Sequence, residues 1–186
     1  LSRRQRQMCI RDRYERFWNG EKTAADELVH RHGDMLVLFL NSYVKDIHEA
    51  EDLMIEAFAQ MFVRRRSVSE DGSFRAYLYK TARRLAGNAI KKHRVYIGLE
   101  ELPFELPGEA LAETSLFENE RKKQLYEAME ELKPEYQEAL YLVYFEDMSY
   151  QGTAEVMGRS ESQIKNLVHR GKKSLKELLG KNGFEY

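Results

Sequence analysis

Residues 148–173 read Met148-Ser149-Tyr150-Gln151-Gly152-Thr153-Ala154-Glu155-Val156-Met157-Gly158-Arg159-Ser160-Glu161-Ser162-Gln163-Ile164-Lys165-Asn166-Leu167-Val168-His169-Arg170-Gly171-Lys172-Lys173. The pattern is helix, tight turn, helix. Ser149 stands where a side-chain oxygen caps a first helix, and Ala154, Val156 and Met157 supply that helix with a buried side. Gly158 follows as the left-handed residue that ends it. Ser160 then opens a second helix, and Gln163 three residues on completes a capping box. Ile164, Leu167, Val168, Leu175, Leu178 and Leu179 recur at helical spacing and form one apolar stripe. Ser162, Gln163, Lys165, Asn166, His169, Arg170, Lys172 and Lys173 fall on the other side. Two helices so arranged, the second polar and basic outside, present a recognition helix to the major groove of duplex DNA. An ordinary helical hairpin with a solvated basic face shares this local pattern, so the rest of the chain has to decide between them.

Charge is distributed unevenly along the 186 residues. The net charge of −1 hides 19 Lys/Arg against 13 Asp/Glu in residues 1–94, none against 7 in 95–120, and 11 against 11 in 121–186. A basic first part, an acidic connector and a balanced last part predict two modules and a tether, and the basic part carries a nucleic-acid footprint. Cys9 is the only cysteine, which excludes a disulfide framework and a thiolate zinc site. No apolar run approaches the length of a membrane span and no signal-peptide pattern opens the chain, so a cytoplasmic protein without membrane insertion is expected.

The predicted class is all-α: two small helical domains, residues 14–94 and 121–180, joined by a flexible acidic linker over 95–120. Residues 1–13 are rich in Arg and Gln without apolar periodicity and are expected to be a disordered or foreign arm, and 181–186 a tail. Residues 14–18 look like a helical lead-in that stops at Asn19-Gly20. Thr23 is placed to cap the next helix, with Asp26 at its third position. His30 and His32, two apart, face different directions on a helix and are expected at the surface. A helix over 47–65 has the apolar set Ile47, Ala50, Leu53, Met54, Ala57, Phe58, Met61 and Phe62. It carries Glu49, Glu51, Asp52 and Glu56, carboxylates that suit a helix N-terminus. With His48 they also suggest a metal, but no second cluster with ligand spacing exists and none is expected.

From Ser73 a further helix interleaves Phe74, Tyr77, Leu78, Tyr79, Ala82 and Leu85 with Arg75, Lys80, Arg83, Arg84, Lys91 and Lys92. Cations attract phosphates, and aromatic faces stack on unpaired bases. Tyr77 and Tyr79 cannot both point inward, so one aromatic is left for the surface. After the linker, with its Pro103 and Pro107, Leu125, Ala128, Met129 and Leu132 mark one helix. Pro134 opens the next, lined by Ala139, Leu140, Leu142, Val143 and Phe145. The opening motif closes this module, which is near the lower size limit for an independent core.

With these elements in order, the chain resembles the sigma-70-family RNA polymerase sigma factors of the extracytoplasmic-function (ECF) group over residues 14–179. Ala50-Glu51-Asp52-Leu53 and Glu56-Ala57-Phe58 resemble the region 2 helix that docks on the clamp of the polymerase β′ subunit. Phe74-Arg75-Ala76-Tyr77-Leu78 and Ala82-Arg83 resemble the part of region 2 that melts and reads the minus-ten element. Leu132-Lys133-Pro134 through Tyr144, Met148-Ser149-Tyr150 and residues 160–172 resemble region 4, whose last helix reads the minus-thirty-five element as duplex. Order and spacing over the whole chain carry the resemblance more than any single match.

The resemblance implies three sets of contacts. Glu49, Glu51, Asp52, Leu53, Glu56 and Phe58 would hold polymerase. Arg75, Tyr77, Lys80, Arg83, Arg84, Asn88 and Lys91 would meet the minus-ten element and its melted non-template strand. Ser160, Ser162, Gln163, Lys165, Asn166, His169, Arg170, Lys172 and Lys173 would meet the minus-thirty-five element. Core RNA polymerase, promoter DNA and an anti-sigma factor are the implied partners. Neither a cofactor nor covalent chemistry is implied. The chain departs from the family pattern at Ile55, where Gln is usual, at Tyr77 for Trp, at Arg84 for Asn, and at Gly152-Thr153 for Glu-Ile. Gly152 inside a helix costs roughly 1 kcal/mol against alanine. Three rivals are a stand-alone helix-turn-helix regulator, which leaves the region 2-like helices without a task, a metal-dependent nuclease or phosphohydrolase using His48, Glu51 and Asp52, for which no phosphate loop or nucleophile signature exists, and a purely regulatory partner protein built on this scaffold.

Overall fold

The computed structural model describes residues 12–63, 74–93, 103–104 and 120–181. Most of the expected arm, the loop over 67–72, most of the acidic linker and the tail lie outside the described residues. Every regular element among the described residues is helical. The chain divides into two compact units, Leu1–Tyr96 and Ile97–Tyr186.

In the first unit a short helix α1 spans residues 12–18 and turns at Gly20, whose φ of 101° is a glycine conformation. Arg13 falls in this helix and bonds Glu27 at 2.7 Å, so it belongs to the domain and not to the arm. Helix α2, Thr23–Val44, begins at Thr23 itself. The expected Thr23 cap is not made: its hydroxyl donates to the Glu21 carboxylate, which Arg16 also holds, and Lys22 occupies the cap position without a side-chain bond. At the far end Lys45 takes a left-handed φ of 61° and its N–H donates to the Asn41 carbonyl at 3.1 Å. Asp46 follows and its Oδ1 accepts from the N–H groups of His48 and Glu49 at 2.9 and 3.1 Å. Those two residues turn the chain and start helix α3, Ile47–Val63.

Helix α4, Phe74–His93, completes a bundle in which α2, α3 and α4 each pack on the other two. Phe39 sits between Tyr43 and Tyr79 with ring centroids 5.2 and 4.9 Å away, and Tyr14 of α1 packs on Phe74 at 5.3 Å. Each fully buried side chain of this size contributes about 1.5–3 kcal/mol of transfer free energy, which is what holds a bundle of this length together. The interior also holds His32. Against expectation it is only 7% exposed, with its ring 6.2 Å from that of Phe74, while His30 is at the surface. Position 32 lies on the same buried stripe of α2 as Leu28, Leu36 and Phe39, and that register overrides the polarity of the imidazole.

The second unit contains α5, Glu120–Glu130, α6, Pro134–Leu140, a π turn at Tyr141–Phe145, α7, Tyr150–Met157, and α8, Glu161–Lys181. The long α8 packs on α5, α6 and α7. Pro134 opens α6 as expected. Buried Gln137 donates from Nε2 to the carbonyls of Glu130 and Leu132 at 2.9 and 2.8 Å, satisfying the end of α5. The expected single helix from Pro134 to Phe145 is instead interrupted. The Glu146 N–H reaches the Tyr141 carbonyl at 3.1 Å, an i→i−5 bond, and the extra residue turns Tyr141 and Leu142 inward while Tyr144 faces solvent. Tyr141 stacks on Phe145, 5.5 Å apart with planes 10° from parallel. Its other neighbour is Phe104, fully buried at 5.9 Å. Phe104 lies within the stretch expected to be a free tether, yet it is a core residue of this unit. Gly171 marks the crossing of α8 with α6, where a Cβ would stand 3.2 Å from Leu140 and Tyr136.

Candidate nucleic-acid interface

The helix-turn-helix forms as its sequence dictates. Ser149 Oγ accepts from the Gly152 N–H at 3.0 Å, Gly158 ends α7 with φ 67°, and Arg159 N donates back to the Ala154 carbonyl at 3.0 Å. At the start of α8 the capping box is reciprocal: Gln163 Oε1 accepts from Ser160 N at 2.8 Å, and Ser160 Oγ accepts from Gln163 N at 3.2 Å. Ile164, Leu167, Val168 and Leu179 are buried, and Leu175 and Leu178 half-buried. Ser162, Gln163, Lys165, Asn166, His169, Arg170, Lys172 and Lys173 are all exposed, as is Ser160. The recognition face therefore exists as one continuous surface of α8.

Several of these groups are held in place. The Ser160 hydroxyl and the Gln163 amide oxygen each accept one bond of the cap, which leaves the Gln163 amide N–H groups pointing outward from it for other partners. Lys165 Nζ lies 2.7 Å from Glu161 one turn back, and that hydrogen bond raises the lysine pKa. Lys172 Nζ stands 5.8 Å from the centre of the exposed Tyr144 ring. Behind the turn, Arg159 pairs with Glu135 of α6 at 3.3 Å.

In the first unit α4 carries a second polar face. Lys80, Arg84, Asn88 and Lys91 are exposed and Tyr77 half-buried, at intervals of three and four residues that place them along one stripe. Tyr79 is the tyrosine that points inward. Two of the expected contacts do not lie on this surface. Arg83 is only 7% exposed and belongs to the packed side of α4, a third of a turn away from the stripe, and Arg75 is half-buried. Arg84 Nη2 donates to Gln60 Oε1 of α3 at 2.6 Å, and Gln60 Nε2 donates to Glu56 Oε1 at 3.0 Å. Gln60 escaped the sequence reading; its one signal was the spacing of four from Glu56.

The outward face of α3 presents Glu51, Asp52, Ile55 and Glu56, with Glu49 and Leu53 half-buried at its margins. Ile55 is 61% exposed and gives this acidic face an apolar centre. Phe58, expected among the docking residues, is buried and stacks on Phe62 at 6.0 Å, so it supports the face from below. His48 lies 3.5 Å from Glu51 at the exposed start of the helix. Among the described residues no three His, Cys, Asp or Glu side chains stand together as a metal site would require, and no helix is long and apolar enough to cross a membrane.

One unit thus presents a helix-turn-helix whose second helix is polar and basic outside, and the other a basic aromatic stripe on α4 and an acidic face with an apolar centre on α3. The Sigma-70 region 2 family model matches residues 28–95, and the Sigma-70, region 4 model matches residues 122–175. The ECF RNA polymerase sigma factor SigM of Bacillus subtilis (strain 168) is 29% identical over 162 residues, which cover 82% of this chain and 93% of that protein. The ECF RNA polymerase sigma factor SigE of Mycolicibacterium smegmatis is 28% identical over 86% of this chain, which spans 63% of that relative's length. In fold, the chain is similar to the sigma factor RpoE of Bartonella quintana, solved in complex with the anti-sigma factor NepR: TM-score 0.59 at 18% identity, covering 83% of this chain and 96% of that one. The chain belongs to the sigma-70 family, in its ECF group of RNA polymerase sigma factors.

Proposed function

We propose that this chain is an alternative sigma factor that binds core RNA polymerase, recognises a promoter through two elements and opens the DNA between them and the start site. The observation that supports this is that two exposed surfaces of different chemistry lie on one chain. The exposed face of α8 suits a duplex major groove, whereas α4 offers cations together with Tyr77, a combination suited to an unpaired strand. A regulator of duplex DNA alone has no use for the second surface. On α8, Lys165, Arg170, Lys172 and Lys173 meet phosphates and fix register, and Gln163, Asn166 and His169 reach base edges. On α4, Lys80 and Lys91 hold the strand, while Tyr77 stacks on a base drawn out of the duplex. Extraction costs a few kcal/mol, and stacking returns about 1–3 of them.

The acidic face around Ile55 takes the polymerase, with Glu51, Asp52 and Glu56 supplying charge for partner cations and Ile55 the apolar contact. The chain acts in the cytoplasm by binding and does no covalent chemistry. A cognate anti-sigma factor, like the one bound by the Bartonella relative, covers these surfaces until released.

Tyr77→Ala and Lys80→Ala separate the two activities. Permanganate reactivity of the melted strand should fall at least fivefold in each variant, from the lost stacking or phosphate contact, with core-polymerase affinity changed less than about twofold. Equal loss of both activities would contradict the division between α3 and α4.

A further inference from the structure

The Glu56–Gln60–Arg84 chain links the polymerase-facing helix to the strand-facing helix, and each group in it has only one chemically consistent orientation. A guanidinium only donates and a carboxylate only accepts. The Gln60 amide must therefore turn its oxygen to Arg84 and its nitrogen to Glu56, as observed at 2.6 and 3.0 Å. Both bonds are assisted by a full charge at the outer partner, which makes them stronger than neutral ones. Arg84 is exposed on the stripe that holds Tyr77, Lys80, Asn88 and Lys91. One of its N–H groups is taken by Gln60, and the rest of its planar fork remains available.

From this geometry we infer that Gln60 is a positioning residue. It holds the Arg84 guanidinium on the α4 stripe so that Arg84 selects a guanine at one position of the minus-ten element. The inference rests on the proposed strand-binding role of α4. An arginine loses side-chain entropy when it is fixed on a base, and a fork already held by Gln60 loses less on binding. Two parallel donors match two adjacent acceptors, and of the base edges that face the major groove only guanine's offers these, at O6 and N7. Glu56, one turn before Gln60 on α3, fixes the amide in turn. A base-reading group in α4 is thereby tied to the face of α3 that meets the polymerase.

The test is selection of open complexes from a promoter library randomised across the minus-ten element, with core polymerase and the full chain. Core affinity and melting temperature are measured alongside. The wild-type chain should enrich guanine at one position by about tenfold, within the range of a bidentate arginine contact. Arg84→Ala should abolish that enrichment and leave the other positions unchanged. Gln60→Leu should reduce it at the same position, and the double variant should match Arg84→Ala. A merely structural role for Gln60 would lower all sequences together.

The inference is overturned if Gln60→Leu selects as the wild type does, or if Arg84→Ala weakens every sequence evenly, the behaviour of a phosphate contact. A wild-type minus-ten motif lacking an Arg84-dependent guanine overturns it while leaving the sigma reading intact. Recovery of no motif by the wild-type chain overturns both.

Discussion

His32 shows how a single residue ties the fold to solution conditions. Burial among apolar neighbours, with Arg75, Arg31 and Arg13 adding positive field, pulls its pKa from the usual 6.5 down to about 4. The unfolded chain therefore takes up the proton near pH 6.5 and the folded chain only near 4. Stability from this group is complete above pH 6.5 and falls by about 1.4 kcal/mol per pH unit as pH drops toward 4. Denaturant titrations of wild type and His32→Leu across pH 4–7 should give curves that diverge over that window, the wild type losing roughly 3 kcal/mol more. Parallel curves would mean that His32 is solvated. From sequence, position 32 looked like a surface histidine because polarity outweighed register; the neighbouring apolar positions were the better guide. Arg83 and Phe58 are buried where an exposed contact was expected, because a motif match names positions without saying which way they face.

At the scale of elements, the helix-turn-helix was legible almost residue by residue, because caps and glycine turns are local chemistry: Ser149, Gly158, Ser160 and Gln163 each do what their type and spacing require. The π turn was not legible because no residue type marks an i→i−5 bond, and the docking of Phe104 because it depends on a partner distant in sequence. Phe104 sits in an acidic, proline-flanked stretch that reads as tether, and only its contact with Tyr141 reveals it as core. Phe104→Ala should destabilise the second unit by about 3 kcal/mol, as truncation of a buried phenylalanine does, and leave the melting of the first unit unchanged. Calorimetry of the two transitions measures this, and an unshifted second transition would return Phe104 to the tether. On α3, the family departure at Ile55 became interpretable once its exposure was known. Ile55→Glu leaves the bundle intact, because the side chain is 61% exposed, but it places another carboxylate amid Glu51, Asp52 and Glu56 and removes the apolar centre. Core affinity should drop on the order of tenfold with stability held within about 0.5 kcal/mol. Undiminished core binding would move the docking face elsewhere.

At the scale of the whole molecule, the regional charge counts and the proline-containing acidic stretch led to the expectation of two modules, and the chain forms two compact units, Leu1–Tyr96 and Ile97–Tyr186. Function was legible through the family resemblance, because the matching stretches follow one another in order and at the right spacing over residues 14–179. What the sequence could not supply was the wiring between helices. The Arg84–Gln60–Glu56 link joins side chains 24 residues apart, and only the packing of α3 on α4 brings them together. The central claim is that the exposed faces of α4 and α8 act together on a promoter in the presence of core polymerase. Its most direct test is transcription in vitro by purified bacterial core polymerase, with and without the full chain, on a library of genomic fragments. The account predicts new transcripts that appear only with the chain and share one upstream and one downstream element at constant spacing. Binding of the chain to duplex fragments with no new transcript from any of them would contradict it.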